Sequence, residues 1–164
     1  MEFSITKKSL LDCLSHFQSV VERRNTIPIL SNLKISALEG GLSLTATDLA
    51  LELSESLTAN VTATGGITIP SQLFFEIIRK APESSQISIK QDDKSGSVIV
   101  FFGKSKFSLP TLPIEDFPVM DSDNLDAEIT LMATDLKMLI NNSKFCMGLD
   151  ESRQYLNGIF LHTN

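Results

Sequence analysis

Cysteine, histidine and net positive charge are all scarce in this chain, and each scarcity closes off a class of function. The 164 residues include two cysteines, Cys13 and Cys146, and two histidines, His16 and His162. Two cysteines cannot supply the disulfide framework of a small secreted domain. Both fall at apolar positions of predicted helices, which reads as buried thiols in a reducing compartment. Cys13 and His16 lie one helical turn apart, but two ligands do not make a zinc site. His162 has no acid–base pair near it. There is no Gly-x-Ser-x-Gly, no phosphate-cradling glycine loop and no clustered carboxylate motif. No catalytic residue, metal or cofactor is therefore assigned, and Asp48 after Thr45-Ala46-Thr47 reads as a strand-end turn acceptor.

Lys and Arg number 14 against 20 Asp and Glu, for a net charge of −6. That is the wrong sign for a protein that grips nucleic acid over a broad basic surface. Either DNA is not a partner, or the basic residues are gathered on one face. The first twenty residues contain Glu2, Lys7, Lys8 and Asp12 and no long apolar run, which argues against a secretory signal and a membrane span. The 42% hydrophobic content is that of a soluble globular protein, expected in the cytoplasm with no membrane partner.

What is present is a pattern of short strands and two helices. Phe3–Ile5 reads as a strand, and Thr6 can cap the helix after it. Leu10, Leu14, Phe17 and Val21 recur at helical spacing, with Lys8, Asp12, Ser15 and Ser19 opposite. Arg23-Arg24-Asn25 makes a polar turn, and Pro28 opens a strand over Ile29–Ala37. Glu39-Gly40-Gly41 signals a hairpin. Leu42, Leu44 and Ala46 alternate with polar residues, as do Leu49, Leu51 and Leu53. Val61 and Ala63, then Ile67 and Ile69 after Gly65-Gly66, complete four strands. Ser71 is a candidate N-cap for a helix with Leu73, Phe74, Ile77 and Ile78 on its apolar face, closed by Ala81-Pro82. Three strands follow, at Ile87 and Ile89, at Val98, Val100 and Phe102, and at Phe107 and Leu109. Turns at Asp92–Gly96 and Gly103-Lys104 separate them. Two helices among about eight mainly antiparallel strands define an α+β class.

Residues 110–128 change character, with Pro110, Pro113 and Pro118, six acidic residues and no basic one. They read as an extended linker, placed at 110–126. Beyond it the N-terminal pattern restarts. Shifted by 126 positions, residues 3–35 lie over 129–161, and eleven of fourteen apolar positions meet another apolar residue. Phe3 meets Ile129, Leu10 meets Leu136, Leu30 meets Leu156 and Ile35 meets Leu161. Repetition at a domain-sized period implies a duplicated domain. The expected organisation is a complete first domain over 1–122 and the start of a second, incomplete over 127–164.

Four stretches carry a family resemblance: Asn25–Leu33 (NTIPILSNL), Leu42–Leu49 (LSLTATDL), Phe107–Pro113 (FSLPTLP) and Tyr155–Phe160 (YLNGIF). In wording, order and spacing they resemble the bacterial DNA polymerase III beta subunit, the replicative sliding clamp. The resemblance runs from Phe3 to His162. It implies the DNA-clamp fold, in which repeated domains each pack two helices on mainly antiparallel sheet and a head-to-tail homodimer closes into a ring. It also implies a non-catalytic processivity subunit, part of a nucleotidyltransferase complex, that encircles duplex DNA and tethers the replicative polymerase. Its further partners would be the polymerase catalytic subunit and an ATP-using clamp loader, both engaged through a short hydrophobic motif. The chain would be an N-terminal fragment lacking most of domain two and all of domain three. A ring holds DNA by topology, so the net negative charge ceases to be an objection.

The resemblance also implies site residues. DNA contact is assigned to Arg24, its neighbour Arg23, and Arg153, Gln154 and Tyr155 of a second-domain loop. Lys8, Arg79 and Lys80 on the helices join them as a mildly basic wall. Many relatives place two tyrosines where this chain has Gln154-Tyr155, a neutral amide near Asp150, and a basic pair where it has Gln72-Leu73. The loop's grip on DNA is accordingly expected to be weaker here. Leu156 matches the pocket for the partner peptide, although the repeat alone makes it plain core like Leu30. Lys104, Lys106, Phe107 and Leu109 match the edge that pairs across the dimer interface. The competing reading is a β-rich protein-interaction module that keeps the fold and the free edge but neither closes a ring nor encircles DNA.

Overall fold

The computed structural model describes residues 1–21, 26–92, 96–120, 129–148, 150 and 152–162, with Gln154 by its backbone only. The turn expected at Arg23–Asn25, residues 93–95 of the turn expected at Asp92–Gly96, and the 121–126 part of the linker lie outside these residues. The chain divides into two units, 1–120 and 121–164.

Among the described residues the first unit contains β1 (Glu2–Thr6), α1 (Lys7–Phe17), β2 (Asn32–Leu38), β3 (Gly41–Thr47), β4 (Glu52–Thr58), β5 (Asn60–Ala63), β6 (Gly65–Pro70), α2 (Ser71–Lys80), β7 (Gln86–Asp92), β8 (Ser97–Phe102) and β9 (Ser105–Pro110). They form a five-stranded sheet, β5-β1-β7-β8-β9, and a four-stranded sheet, β4-β3-β2-β6. Every pairing is antiparallel, with Phe3 opposite Ile89 and Ile35 opposite Leu44. Alternation along each strand sends one side chain in two toward a shared core. That core joins Phe3, Leu33, Leu44 and Val100 from the sheets to Leu10, Leu14 and Phe17 of α1 and to Phe74 and Ile78 of α2, all essentially inaccessible. An α+β fold with two helices on antiparallel sheet is what the sequence pattern calls for.

The differences in detail have local causes. Thr6 caps α1 as expected, its Oγ1 accepting from the Ser9 N–H at 3.3 Å. Pro28 does not open a strand: Pro28–Ser31 is a 3-10 turn, and β2 starts at Asn32. A proline with φ near −65° suits the first position of a helical turn. Leu49 and Leu51 are not strand residues. Asp48 Oδ1 accepts from the N–H groups of Ala50 and Leu51 at 2.9 and 2.7 Å, Leu49 takes a φ of 76°, and both leucines face solvent. Five strands, not four, separate the helices, because the chain leaves one sheet at Thr58 and enters the other at Asn60. Ser71 is not the cap of α2. Pro70 holds that position, and the Ser71 Oγ is buried with no partner.

The proline-rich segment is fastened to the first unit as far as Phe117. Thr68, fully buried on β6, donates its hydroxyl to the Leu112 carbonyl at 2.8 Å and accepts from the Leu112 N–H at 2.9 Å. Phe117 packs with Ile29 and Leu30, and the Lys34 ammonium lies 5.6 Å from its ring centre. Ile114 lies over Gly66, where any side chain would collide with its Cδ1.

The second unit holds α3 (Ala133–Ser143), a 3-10 turn at Lys144–Cys146 and another at Gln154–Leu156. The ends of α3 fall 126 residues after those of α1, and the last turn falls 126 residues after the start of the Pro28 turn. The element pattern therefore repeats where the apolar pattern does. The burial does not. Leu10, Leu14 and Ile35 are 0% exposed, whereas Leu136, Ile140 and Leu161 are 37%, 44% and 55% exposed. No strand forms among the described residues of this unit. β1 is held by β5 and β7, and β2 by β3 and β6; positions 126 residues beyond all four lie past residue 164. Cys146, expected to be buried, is exposed.

Candidate nucleic-acid interface

On α1 the face away from the core carries Lys8, Asp12, Ser15 and His16, all exposed. His16 is taken up by Glu55 of β4, with 2.9 Å between Nδ1 and Oε2. Glu55 sits on the half-buried side of β4 between Leu53 and Leu57, where it also receives the Cys13 thiol. Burial first, then the charge and hydrogen bond of Glu55, push that thiol up to about 12. Cys13 and His16 thus both turn to one carboxylate, and no group of three or more metal-ligating side chains occurs among the described residues.

The C-terminal turn of α2 carries Arg79 and Lys80, where cations complement the helix dipole. Arg79 Nη2 donates to Glu76 Oε2 at 2.6 Å, and its guanidinium lies 6.0 Å from the Phe75 ring centre. Lys80 is exposed beside a cavity of about 320 Å³ lined by Leu73, Ile77, Phe102 and Phe107. Arg23 and Arg24 lie outside the described residues.

In the second unit the candidate loop is organised by Asp150. Its Oδ1 accepts from the Ser152 N–H at 2.9 Å and the Ser152 hydroxyl at 2.6 Å, and its Oδ2 accepts from Arg153 Nε at 2.9 Å. Those bonds, Ser152's before Arg153's, hold the carboxyl below the usual range. Tyr155 stands 80% exposed with its ring free to stack. Gln154 is placed by backbone alone, in the same turn. Leu156 is 44% exposed, while a cavity of about 410 Å³ in this unit is lined by Leu136, Leu139, Ile140, Met147, Ile159 and Phe160. Leu156 is not among the lining residues.

The residues matched to a dimer edge separate by role. Among the described residues β9 pairs only with β8, which leaves its other side without a strand partner. Lys104 lies in the turn before β9 and Lys106 on it, both exposed, with Lys106 5.7 Å from the Phe101 ring centre. Phe107 stacks on Phe102 at 5.4 Å. Leu109 is 2% exposed and belongs to the core. Reading the sequence alone misses Glu55, Glu76 and Thr68. The first two were legible in principle, as an inward-facing acid on an alternating strand and as an acid three residues before an arginine. Thr68 carried no signal, because its partner is forty-four residues away.

A unit of two helices packed on two antiparallel sheets, with basic residues on its helices, is the domain type of sliding clamps. The beta sliding clamp of Caulobacter vibrioides (strain NA1000 / CB15N) is 42% identical over 163 residues, 99% of this chain and 44% of that protein. That of Escherichia coli (strain K12) is 35% identical over 164 residues, again 99% and 44%. The solved Caulobacter crescentus pol III beta matches with a TM-score of 0.93 at 42% identity, over 100% of this chain and 44% of that one. A sliding clamp from Bartonella birtlesii, solved bound to griselimycin, matches at 0.94 and 38% identity, over 99% and 43%. Residues 1–121 match the family model for the DNA polymerase III beta subunit, N-terminal domain. The chain belongs to the DNA polymerase III beta subunit family. It spans less than half the length of the curated relatives it matches.

Proposed function

We propose that this chain supplies the first domain, and the opening β-α-β segment of the second, of a cytoplasmic sliding clamp that encircles duplex DNA as a homodimeric ring. It makes and breaks no bond. It tethers the replicative polymerase, and a clamp loader opens the ring. The observation that carries the reading is the recurrence of α1 as α3 after 126 residues within a chain of this family, since a ring of repeated domains requires such recurrence. Exposed Lys8, Lys80, Arg79, Arg153 and Tyr155 support DNA contact, joined by Arg23, Arg24 and Gln154 from the family match. Lys104, Lys106 and Phe107 at the open β9 edge support pairing with another subunit, with Leu109 anchoring that strand from within. Leu156 belongs to the partner-peptide pocket by its family match.

The test replaces the matching N-terminal 44% of the Caulobacter protein with residues 1–164. With polymerase III and its loader on a primed circle, the chimera is expected to give long products in a single binding event. Products no longer than those made without a clamp overturn the reading.

A further inference from the structure

Both arginines that the structure describes in the candidate DNA interface are occupied by a carboxylate of their own chain. The arrangement is the same in each unit, with the acid three residues before the arginine: Glu76 and Arg79 on α2, Asp150 and Arg153 in the loop. Each acid is also held by a second donor. Gln72 Nε2 reaches the other oxygen of Glu76 at 3.5 Å, and Ser152 makes two bonds to the other oxygen of Asp150. Arg79 and Arg153 nevertheless remain 56% and 58% exposed, so a phosphate can approach either one. Lys8 and Lys80 have no ion pair among the described residues.

We propose that Glu76 and Asp150 act as built-in competitors for Arg79 and Arg153, so that a DNA phosphate gains each arginine only by displacing a carboxylate. The proposal rests on the DNA reading above and adds to it what sets the strength of contact. An exposed pair of this kind is weak, so the acid does not lock the arginine away. Exchanging one oxyanion for another yields little net free energy in either direction. When the phosphate leaves, the acid returns. No register along the duplex then becomes a deep well, which is the condition for sliding. In the paired state, bonds from Ser152 and then Arg153 hold the Asp150 carboxyl below the usual range, and the two Ser152 bonds do not involve the arginine.

The experiment titrates a fluorescein-labelled linear duplex with the chimera described above, in which the Caulobacter sequence follows residue 164, and reads anisotropy at several salt concentrations. Glu76→Gln and Asp150→Asn are each expected to tighten binding about two- to five-fold and to steepen the salt slope by about one. Adding Arg79→Ala to the first, or Arg153→Ala to the second, should cancel the gain. Glu39→Gln is the control, because it removes one charge from an exposed residue outside any described ion pair. An equal gain from Glu39→Gln assigns the effect to net charge and overturns the proposal. Unchanged affinity in the acid variants, while Lys8→Ala and Lys80→Ala weaken binding, overturns it and leaves the DNA reading standing. If neither acid nor cation variants alter binding, the DNA reading falls and the proposal falls with it.

Discussion

Cys13 and Cys146 occupy similar places in the apolar pattern and opposite environments in the molecule. Cys13 is enclosed against Glu55, and Cys146 is exposed. A disulfide-exchange reagent is therefore expected to modify Cys146 in the native protein and Cys13 only on unfolding; equal rates would contradict the placement. The raised Cys13 thiol also sets a pH dependence. Above its ordinary 9.0 the unfolded chain loses the proton that the folded chain keeps until about 12. The folded state then binds more protons, and stability falls as pH rises through that window. In urea denaturation, the stability difference between wild type and Cys13→Ala should hold steady below about pH 9 and shrink above it. A constant difference up to pH 11 would contradict this sign. Thr68 offers a second residue-scale test. Its hydroxyl serves both backbone groups of Leu112 and accepts from Asn32 at 3.2 Å, so Thr68→Val should cost about 1–3 kcal/mol. A neutral substitution would show the strap to be loosely held.

At the scale of elements, the open side of β9 is the feature with consequences. An unpaired strand edge invites pairing with another chain. Hydrogen exchange at the β9 amides is expected to slow as protein concentration rises; exchange independent of concentration would contradict an available edge. The strands and helices were largely legible in the sequence, because their burial follows the two elementary periods. Phe3 and Ile5, Leu42 and Leu44, and Val98 and Val100 alternate, while Leu10, Leu14 and Phe17 recur at helical spacing. The errors cluster at boundaries where a local bond outweighs the pattern. Asp48 bonding to two N–H groups removes Leu49 and Leu51 from β4, and Pro28 seeds a turn before β2. The strap over Thr68 and Gly66 was illegible, since it rests on long-range contacts. The candidate site was legible mainly through family resemblance. Lys8, Arg79 and Lys80 are exposed as a basic wall requires, but nothing in their letters separates them from an ordinary solvated helix face.

At the scale of the whole molecule, the repeat explains what neither charge nor composition does. The described apolar residues of 129–161 are largely exposed although most of their counterparts in 3–35 form a core, so the second unit has the makings of a domain face without its covering. The amides of α3 are expected to exchange quickly in the 164-residue chain and to match α1 in the chimera. Strong, concentration-independent protection of α3 in the short chain would show that the unit needs no further sheet. In the proposed ring, topological retention would let a chain of net charge −6 serve DNA, because such a ring needs only weak contacts along its inner wall. The most direct test of encirclement loads the chimera onto nicked circular DNA, removes free protein by gel filtration, and then cuts the circle. The chimera is expected to stay with the intact circle and to run off once the DNA is linear. Equal release from both forms, with a steep dependence on salt, would contradict it and leave a binding module in place of a clamp.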